Sequence, residues 1–401
     1  MQSIRIVQRF FRSAWLSLVV AFVWIVVAGG APADDLAVVR VGYVTGSASG
    51  LMFRIADRLG YFREERLKVD LLPFDSGVNQ VGPLESADID VAGGEPSARL
   101  YAAVEHGSPV RIVAPDVSDP PGDGFQPLVV RTDLVRSGRF KTLHDLKGLK
   151  IGVGAPGTTS WALLNALLKR GGLQLSDVTP IDLPYRDHRL ALASGAIDAS
   201  LLPEPEASEV VREGKARRII GNDEFYPRQE SSVAMFSGDF LTKRRNVALR
   251  FMHAYVEAAR SYNAAILNGK LAGPNAGTII RLLADDSPGV DPRVAAGATP
   301  FGIDPNLQLN LDSLQRDVDF FESRKLLDRG VRAEQAVDES VALQAVAMLG
   351  PYEASRKGEG FGEGAIPLES LGGLGSWLAF AGLCVVGLAV IVKVIVEVRK
   401  P

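Results

Sequence analysis

Residues 150–169, KIGVGAPGTTSWALLNALLK, decide how the rest of the chain reads. A strand-like apolar run over 150–153 breaks at Gly154, Pro156 and Gly157, and helical spacing resumes at Ala162, Leu163, Ala166 and Leu167. This predicts a strand, a tight turn and a helix. Thr158, Thr159 and Ser160 fall where the helix begins, so hydroxyls and unpaired backbone N–H groups converge at the positive end of the helix dipole. Such a spot holds a small anion without Lys or Arg. The same residues also read as an N-cap and nothing more. Gly152, Gly154 and Gly157 further spell G-x-G-x-x-G, but the dinucleotide reading needs an acid at the end of the next strand, and Asp182 falls inside the strand over 179–183. Pro156 also stiffens the turn that would have to wrap a pyrophosphate.

The same alternation continues on both sides. Upstream, strands over 38–44, 68–74, 89–92 and 110–114 alternate with helices, the first carrying Met52, Ile55, Ala56 and Leu59 on one face and the others over 77–86 and 96–105. Residues 116–126 are rich in Pro, Gly and Asp and read as a loop beside a crossing point; a strand over 128–131 follows. Downstream come strands over 179–183, 197–201 and 217–220 with helices over 188–194 and 206–213. Strands alternating with helices of about ten residues predict an α/β fold with parallel, helix-covered sheets. Beyond a strand over 232–236 the pattern turns mainly helical, over 245–267, 276–284, 311–327 and 333–348.

An internal echo divides this pattern. LESADID at 84–90 resembles LASGAID at 192–198, and each leads through a short strand to a Glu-Pro pair, Glu95-Pro96 and Glu204-Pro205. Two similar lobes are implied, with Glu95 and Glu204 just past the carboxyl end of a strand, where open sheets keep their ligands. Each Glu equally reads as a charge that complements the start of the following helix.

Composition narrows the function. A net charge of −3 from 44 basic and 47 acidic residues gives no electrostatic case for nucleic acid. The single cysteine, Cys384, lies in an apolar run, so there is no disulfide framework and no thiolate metal cluster. His106, His144, His188 and His253 lack metal-ligand spacing, and His188 and His253 read as surface and helix-packing residues. No cofactor or metal is called for. At the N-terminus, Arg5, Arg9 and Arg12 precede the apolar run 14–28 and the small residues Ala31-Pro32-Ala33, so residues 1–33 read as a secretory signal or an uncleaved anchor. At the other end, residues 353–373 read as a flexible linker and 374–396 as a transmembrane helix followed by Arg399 and Lys400. Both flanking charge patterns place the body of the chain outside the cytoplasm, tethered to the inner membrane.

VRVGY (39–43), LGYF (59–62), LKVDLLPFDSG (67–77), the L-x-S-x-x-I-D echo, DLKGLKIGV (145–153), ASGAIDA (193–199) and the Glu204-Pro205 pair occur in an order that resembles the periplasmic substrate-binding proteins of ABC importers, the nitrate, sulfonate, taurine and thiamine-precursor binding group. That resemblance implies a two-lobed, type II periplasmic-binding-protein fold with two crossover strands, near 128–132 and 225–231. The first lobe is then 36–130 with 228–352, and the second 131–227. It implies hinged closure over a small ligand and an ABC permease as partner. Matched positions suggest Tyr43, Ser47, Ser49, Gly94, Glu95, Thr158, Thr159, Ser160, Asp187 and Glu204 as ligand contacts, with Trp161 and Phe125 as candidate walls. The implied ligand is a small organic or inorganic anion, sulfonate-, taurine- or nitrate-like, or a pyrimidine precursor. The acids at Glu95, Asp187 and Glu204 sit uneasily with a purely anionic ligand and suit an amino-sulfonate or a neutral-to-cationic heterocycle such as a pyrimidine precursor better. A membrane-tethered sensor or accessory subunit with the same trap is the alternative. The group also resembles thiamine-pyrimidine synthases, whose cysteine-rich motif is missing here, so no catalytic residue is expected.

Overall fold

The computed structural model describes residues 36–120, 122 and 124–352. The expected leader or anchor (1–33), linker (353–373) and membrane helix (374–396) lie outside the described residues. Among the described residues no helix is long and apolar enough to cross a membrane.

The chain begins with β1 (Ala37–Val44), α1 (Leu51–Leu59), α2 (Tyr61–Glu64), β2 (Leu67–Phe74), α3 (Val78–Glu85), β3 (Val91–Gly94), α4 (Ala98–Glu105) and β4 (Arg111–Asp119). It continues through β5 (Leu128–Arg131), α5 (Thr132–Arg136), β6 (Lys150–Val153), α6 (Thr159–Arg170), β7 (Thr179–Asp182), α7 (Tyr185–Ser194), β8 (Ala199–Leu201), α8 (Glu206–Arg212) and β9 (Ala216–Ile220). The last part holds β10 (Gln229–Phe236), α9 (Gly238–Thr242), α10 (Arg245–Ala265), a small hairpin of β11 (Ile266–Leu267) and β12 (Lys270–Leu271), α11 (Ala276–Asp286), α12 (Pro292–Gly297), α13 (Leu311–Ser323) and α14 (Ser340–Leu349).

These strands form two five-stranded sheets, ordered β2-β1-β3-β10-β4 and β7-β6-β8-β5-β9. Neither is wholly parallel, as the alternating pattern had suggested. β10 runs antiparallel to β3 and β4, and β5 antiparallel to β8 and β9. The reason is topological: each of these strands enters its sheet from the crossing between the halves, not from a right-handed helical crossover, so its direction is free to reverse. The first crossing falls outside the strand expected to make it, near 128–132, whereas the second, expected near 225–231, overlaps residues 221–228 between β9 and β10. β5 is bonded on both sides within the second sheet, and β4 runs through Asp119 into what read as loop, leaving residues 120–127 and 221–228 to pass between the sheets. The run 333–348 is a short 3₁₀ turn (Ala333–Ala336) followed by α14.

The long helix α10 shows why the first half packs as it does. Ala248, Phe251, Met252, Tyr255, Ala258, Ala259, Tyr262 and Ala265 recur at three- and four-residue spacing and are all buried. Phe251 stacks on Phe62 at 4.8 Å and meets Phe53 and Phe236 edge-on or tilted. Replacing it with Ala would cost about 3–5 kcal/mol. A second apolar cluster runs from Leu84 and Ala92 through Leu163 and Leu167 to Val318 and Phe321, so α6 and α13 share one core.

Candidate functional site

The loops that follow β1, β3 and β6, together with the start of α7, converge between the two sheets. β3 ends in Gly93-Gly94, and the backbone of Gly94 lies so close to Gly77 that a side chain on either would collide: a Cβ on Gly77 would stand 2.8 Å from Glu95 N and one on Gly94 2.9 Å from Gly77 Cα. This tight packing turns Glu95 toward the other sheet, where it is buried. Tyr185, the first residue of α7, donates its hydroxyl to Glu95 Oε1 at 2.8 Å, and Gln126 Nε2 donates to the Tyr185 oxygen at 3.0 Å. Gly154 leaves the room for this group: a Cβ there would lie 2.9 Å from Ser160 Oγ, 3.2 Å from the Tyr185 hydroxyl and 3.4 Å from Glu95 Oε2. Burial pushes the Glu95 carboxyl up to about 7, while the hydroxyls of Tyr185 and Thr158 pull it back.

The start of α6 behaves partly as the sequence suggested. Thr158 and Ser160 share a hydrogen bond of 2.7 Å beside Glu95, and Thr158 Oγ1 donates to the Ala155 carbonyl at 2.8 Å. Helix-start N–H groups are already engaged, however: Trp161 N donates to Thr158 O at 3.0 Å, Thr159 N to Pro96 O at 3.1 Å, and Ala98 N returns a bond to Gly157 O at 2.8 Å. The two halves are therefore stitched together backbone to backbone at this point. The Thr159 hydroxyl turns inward to Asp317 on α13 and accepts from Gln229 Nε2 at 2.9 Å. Tyr226 donates to the other oxygen of Asp317 at 2.6 Å, and burial raises that carboxyl to about 7.

The remaining candidates divide. Ser47 and Ser49 make a local turn, with Ser49 N donating to Ser47 Oγ at 3.2 Å. Tyr43 is half-buried on β1, and burial raises its hydroxyl pKa. Glu204 is buried but spent within the second half: Arg218 Nη1 donates to Oε1 at 2.6 Å and Ser208 N to Oε2 at 2.8 Å. Its role there is the helix-start one. Asp187 is exposed on α7, one turn position away from the contacts that Tyr185 and Arg186 make. Phe125 packs edge-on against Phe301 at 5.4 Å, and Trp161 is half-buried with its indole N–H on Gly154 O at 2.9 Å. His188 is fully buried, not on the surface: Ser200 Oγ lies 2.7 Å from one ring nitrogen and Leu183 O 3.0 Å from the other, and burial lowers its pKa to about 4. The half-buried His253 pairs with Glu65 at 2.8 Å.

Sequence reasoning missed Tyr185, Gln126, Arg186, Arg189 and Asp116. Asp116 is fully buried on β4 and accepts from Gly50 N at 2.8 Å, Ser232 Oγ at 2.8 Å and the Tyr255 hydroxyl at 3.1 Å, which anchors the loop after β1 to the crossing strand β10. Burial raises its carboxyl to about 6. Arg186 Nη1 donates to Thr45 Oγ1 at 2.8 Å and Asp75 Oδ1 at 2.6 Å, and Arg189 Nη2 to Pro288 O at 2.8 Å. The signal for these was the run Tyr185-Arg186-Asp187-His188-Arg189 at a helix start, dense in donors where the ligand face was expected.

Among known proteins, a putative binding protein of Brucella abortus is 27% identical over 234 residues, 58% of this chain and 69% of that protein. The alkanesulfonate-binding protein SsuA of Xanthomonas axonopodis, solved with MOPS, superposes with a TM-score of 0.58 at 22% identity, over 76% of this chain and 99% of its own. The periplasmic nitrate-binding protein NrtA of Synechocystis gives 0.62 at 14%, over 79% and 89%. The desulfurization enzyme DszB gives 0.53 at 18%, over 78% and 99%. These likenesses show the two mixed sheets to be a type II periplasmic-binding-protein fold. A family model described as NMT1/THI5 like matches residues 50–268, more than half of the 401 residues, and the chain belongs to that family.

Proposed function

We propose that the protein is a solute-binding protein that closes two lobes over a small organic ligand outside the cytoplasm and delivers it to an ABC permease. The lobes are the bodies built on the two sheets, and residues 120–127 and 221–228 are the hinge. The observation that carries this reading is the face of α7. Tyr185, Arg186 and Arg189, all on the second lobe, reach Glu95, Thr45, Asp75 and Pro288 on the first. One helix thus makes four of the side-chain contacts across the seam, which suits a closing jaw.

The ligand class follows from Glu95. A carboxyl buried against Tyr185, Thr158 and Ser160 disfavours a bare anion such as nitrate and accepts a hydrogen-bond donor. An amino-sulfonate fits both parts, its ammonium on Glu95 and its sulfonate on the Thr158 and Ser160 hydroxyls at the α6 start; a pyrimidine precursor fits the donor part alone. No bond is made or broken in this reading. Among the described residues there is no cysteine, and both nitrogens of His188 are engaged inside the second lobe.

The test is a thermal-shift screen of the full-length chain against taurine, alkyl sulfonates, nitrate and pyrimidine precursors. A ligand at a hundred times its dissociation constant stabilises by about 2.7 kcal/mol. A shift with an amino-sulfonate that disappears in Glu95→Gln supports the reading, and a shift with nitrate of equal size that survives Glu95→Gln removes it.

A further inference from the structure

A second feature lies beside the cleft, and its charged side chains take part in none of these contacts. An open groove of about 340 Å³ runs between α4, the β6–α6 turn and the end of α13, lined among others by Arg99, Pro156, Trp161, Phe320, Arg324 and Leu326. That is within the size range of small-ligand sites, about 300–1,000 Å³. Its charges are one-sided. Arg99 and Arg324 are both exposed, neither guanidinium has a partner among the described residues, and no acid lines the groove. The acids that α13 carries nearby are turned to other work: Asp319 accepts from Gln315 Nε2 at 2.8 Å, and Glu322 from Gly330 N and Val331 N at 2.8 and 3.0 Å.

The position of Arg99 is itself against helix preference. It stands in the first turn of α4, which Ser97 caps, so its cation faces the positive end of the helix dipole with no carboxylate to offset it. Trp161 supplies the opposite chemistry. Its indole N–H is fixed on Gly154 O at 2.9 Å, which locks the ring in place, and the residue is only partly buried. Leu326, 48% exposed, and Phe320 continue the apolar wall. A rigid aromatic wall beside two unpaired guanidiniums recognises a ring that bears a negative charge.

We infer that this groove binds an aromatic monoanion, an aryl sulfonate or aryl carboxylate, with the ring against Trp161 and Leu326 and the anionic group between Arg99 and Arg324. The site is separate from the Glu95 cluster. Its floor is the pair of backbone bonds that joins Pro96 and Ala98 to Thr159 and Gly157, so it is complete only when the halves are together, and its occupant favours that arrangement. The inference uses the closed geometry but does not depend on solute delivery.

Trp161 makes the test direct, because the other tryptophans, Trp15, Trp24 and Trp377, all fall outside the described residues. In the full-length chain with those three replaced by Phe, emission of Trp161 is followed during titration with toluene-4-sulfonate, with its neutral isostere toluene-4-sulfonamide and with inorganic sulfate. The expected result is a saturable change with toluene-4-sulfonate, with the sulfonamide and sulfate about tenfold weaker or more. Arg99→Gln and Arg324→Gln, which keep the side-chain stem at exposed positions, each weaken the sulfonate about ten- to a hundredfold while far-UV circular dichroism is unchanged. Equal binding of the sulfonamide, sulfonate affinity unchanged in both Gln variants, or no response of Trp161 overturns the inference. A taurine thermal shift that persists without any Trp161 response to toluene-4-sulfonate removes the groove and leaves the cleft reading intact.

Discussion

Tyr185 and Glu95 meet as donor and acceptor at 2.8 Å, although ninety residues of chain and two different sheets separate them. Both are buried, so the bond is protected from water and is worth more than a surface contact. Tyr185→Phe leaves the ring packing in place and removes only the hydroxyl. The expected loss is about 1–3 kcal/mol in urea unfolding, together with a further rise of the Glu95 pKa, which the carboxyl signal of a Glu-labelled sample reports by NMR titration. An unchanged carboxyl titration would mean that Tyr185 does not touch Glu95 in solution.

Stability should fall as the pH rises from about 4.5 to 7.5 and level off above that. Glu95, Asp317 and Glu206 are raised to about 7 by burial, with Glu230 raised as well, so the folded state holds protons in this window that the unfolded chain has already released. A carboxyl of pKa 7 in the folded state and near its ordinary value when unfolded contributes a loss of about 1.4 kcal/mol between pH 6 and 8. Between about pH 4 and 6.5 His188, whose lowered pKa of about 4 makes the unfolded chain the better proton binder, offsets one of these carboxyls and leaves the net fall in place. Melting temperatures across pH 5–8.5 check this, and Glu95→Gln should make the fall between pH 5 and 7 shallower. A midpoint that climbs from pH 6.5 to 8 would show that these carboxyls are ionised and compensated at neutral pH.

Much of this was legible in the sequence, and the omissions have physical causes. The strand–turn–helix at 150–170 and the two Glu-Pro segments follow from local hydrophobic period and turn chemistry, which act over a few residues. Period does not report strand direction, so the antiparallel entries of β5 and β10 were not visible. Glu95 and Glu204 occupy equivalent places in the repeat, yet Glu204 has Arg218 fourteen residues on to neutralise it, whereas Glu95 is left with hydroxyl donors only from across the seam. Asp116 and Asp317 depend on partners more than a hundred residues away in part, Ser232 and Thr159, and no local pattern encodes such pairs. His188 read as surface because its neighbours Asp187 and Arg189 are charged; burial of the ring was decided by Ser200 on β8.

Asp317 joins three segments at the base of the cleft. It accepts from Thr159 on α6 and from Tyr226 in the crossing, and Gln229 on β10 in turn donates to Thr159. Asp317→Ala strands both hydroxyl donors in a site without water access, and about 2–5 kcal/mol of stability should be lost. Asp317→Asn keeps one carbonyl oxygen and should cost about 1–2 kcal/mol. Chemical denaturation at fixed pH ranks the two. If Ala costs no more than Asn, the three segments are held by packing and not through this carboxyl.

The outer contacts of α7 should govern opening more than stability. Arg186 and Asp75 remain substantially exposed, at 40% and 59% of their side chains, so their pair is worth about 0–1 kcal/mol. Arg189 adds a bond to Pro288 O from a side chain already paired with Glu213 at 2.8 Å. An equilibrium between open and closed lobes responds to such small terms, because 1.4 kcal/mol changes a population ratio tenfold. Arg186→Ala should therefore enlarge the radius of gyration of the ligand-free protein in solution scattering while the melting temperature moves little, whereas Arg189→Ala would also strand the buried Glu206, 3.0 Å away, and lower it. Raised salt should act in the same direction on the native chain, since both contacts lie at the rim. A scattering profile identical to that of the native chain would leave closure to Tyr185–Glu95 and the backbone bonds at Pro96 and Gly157, and Tyr185→Phe alone would then be the variant that opens it.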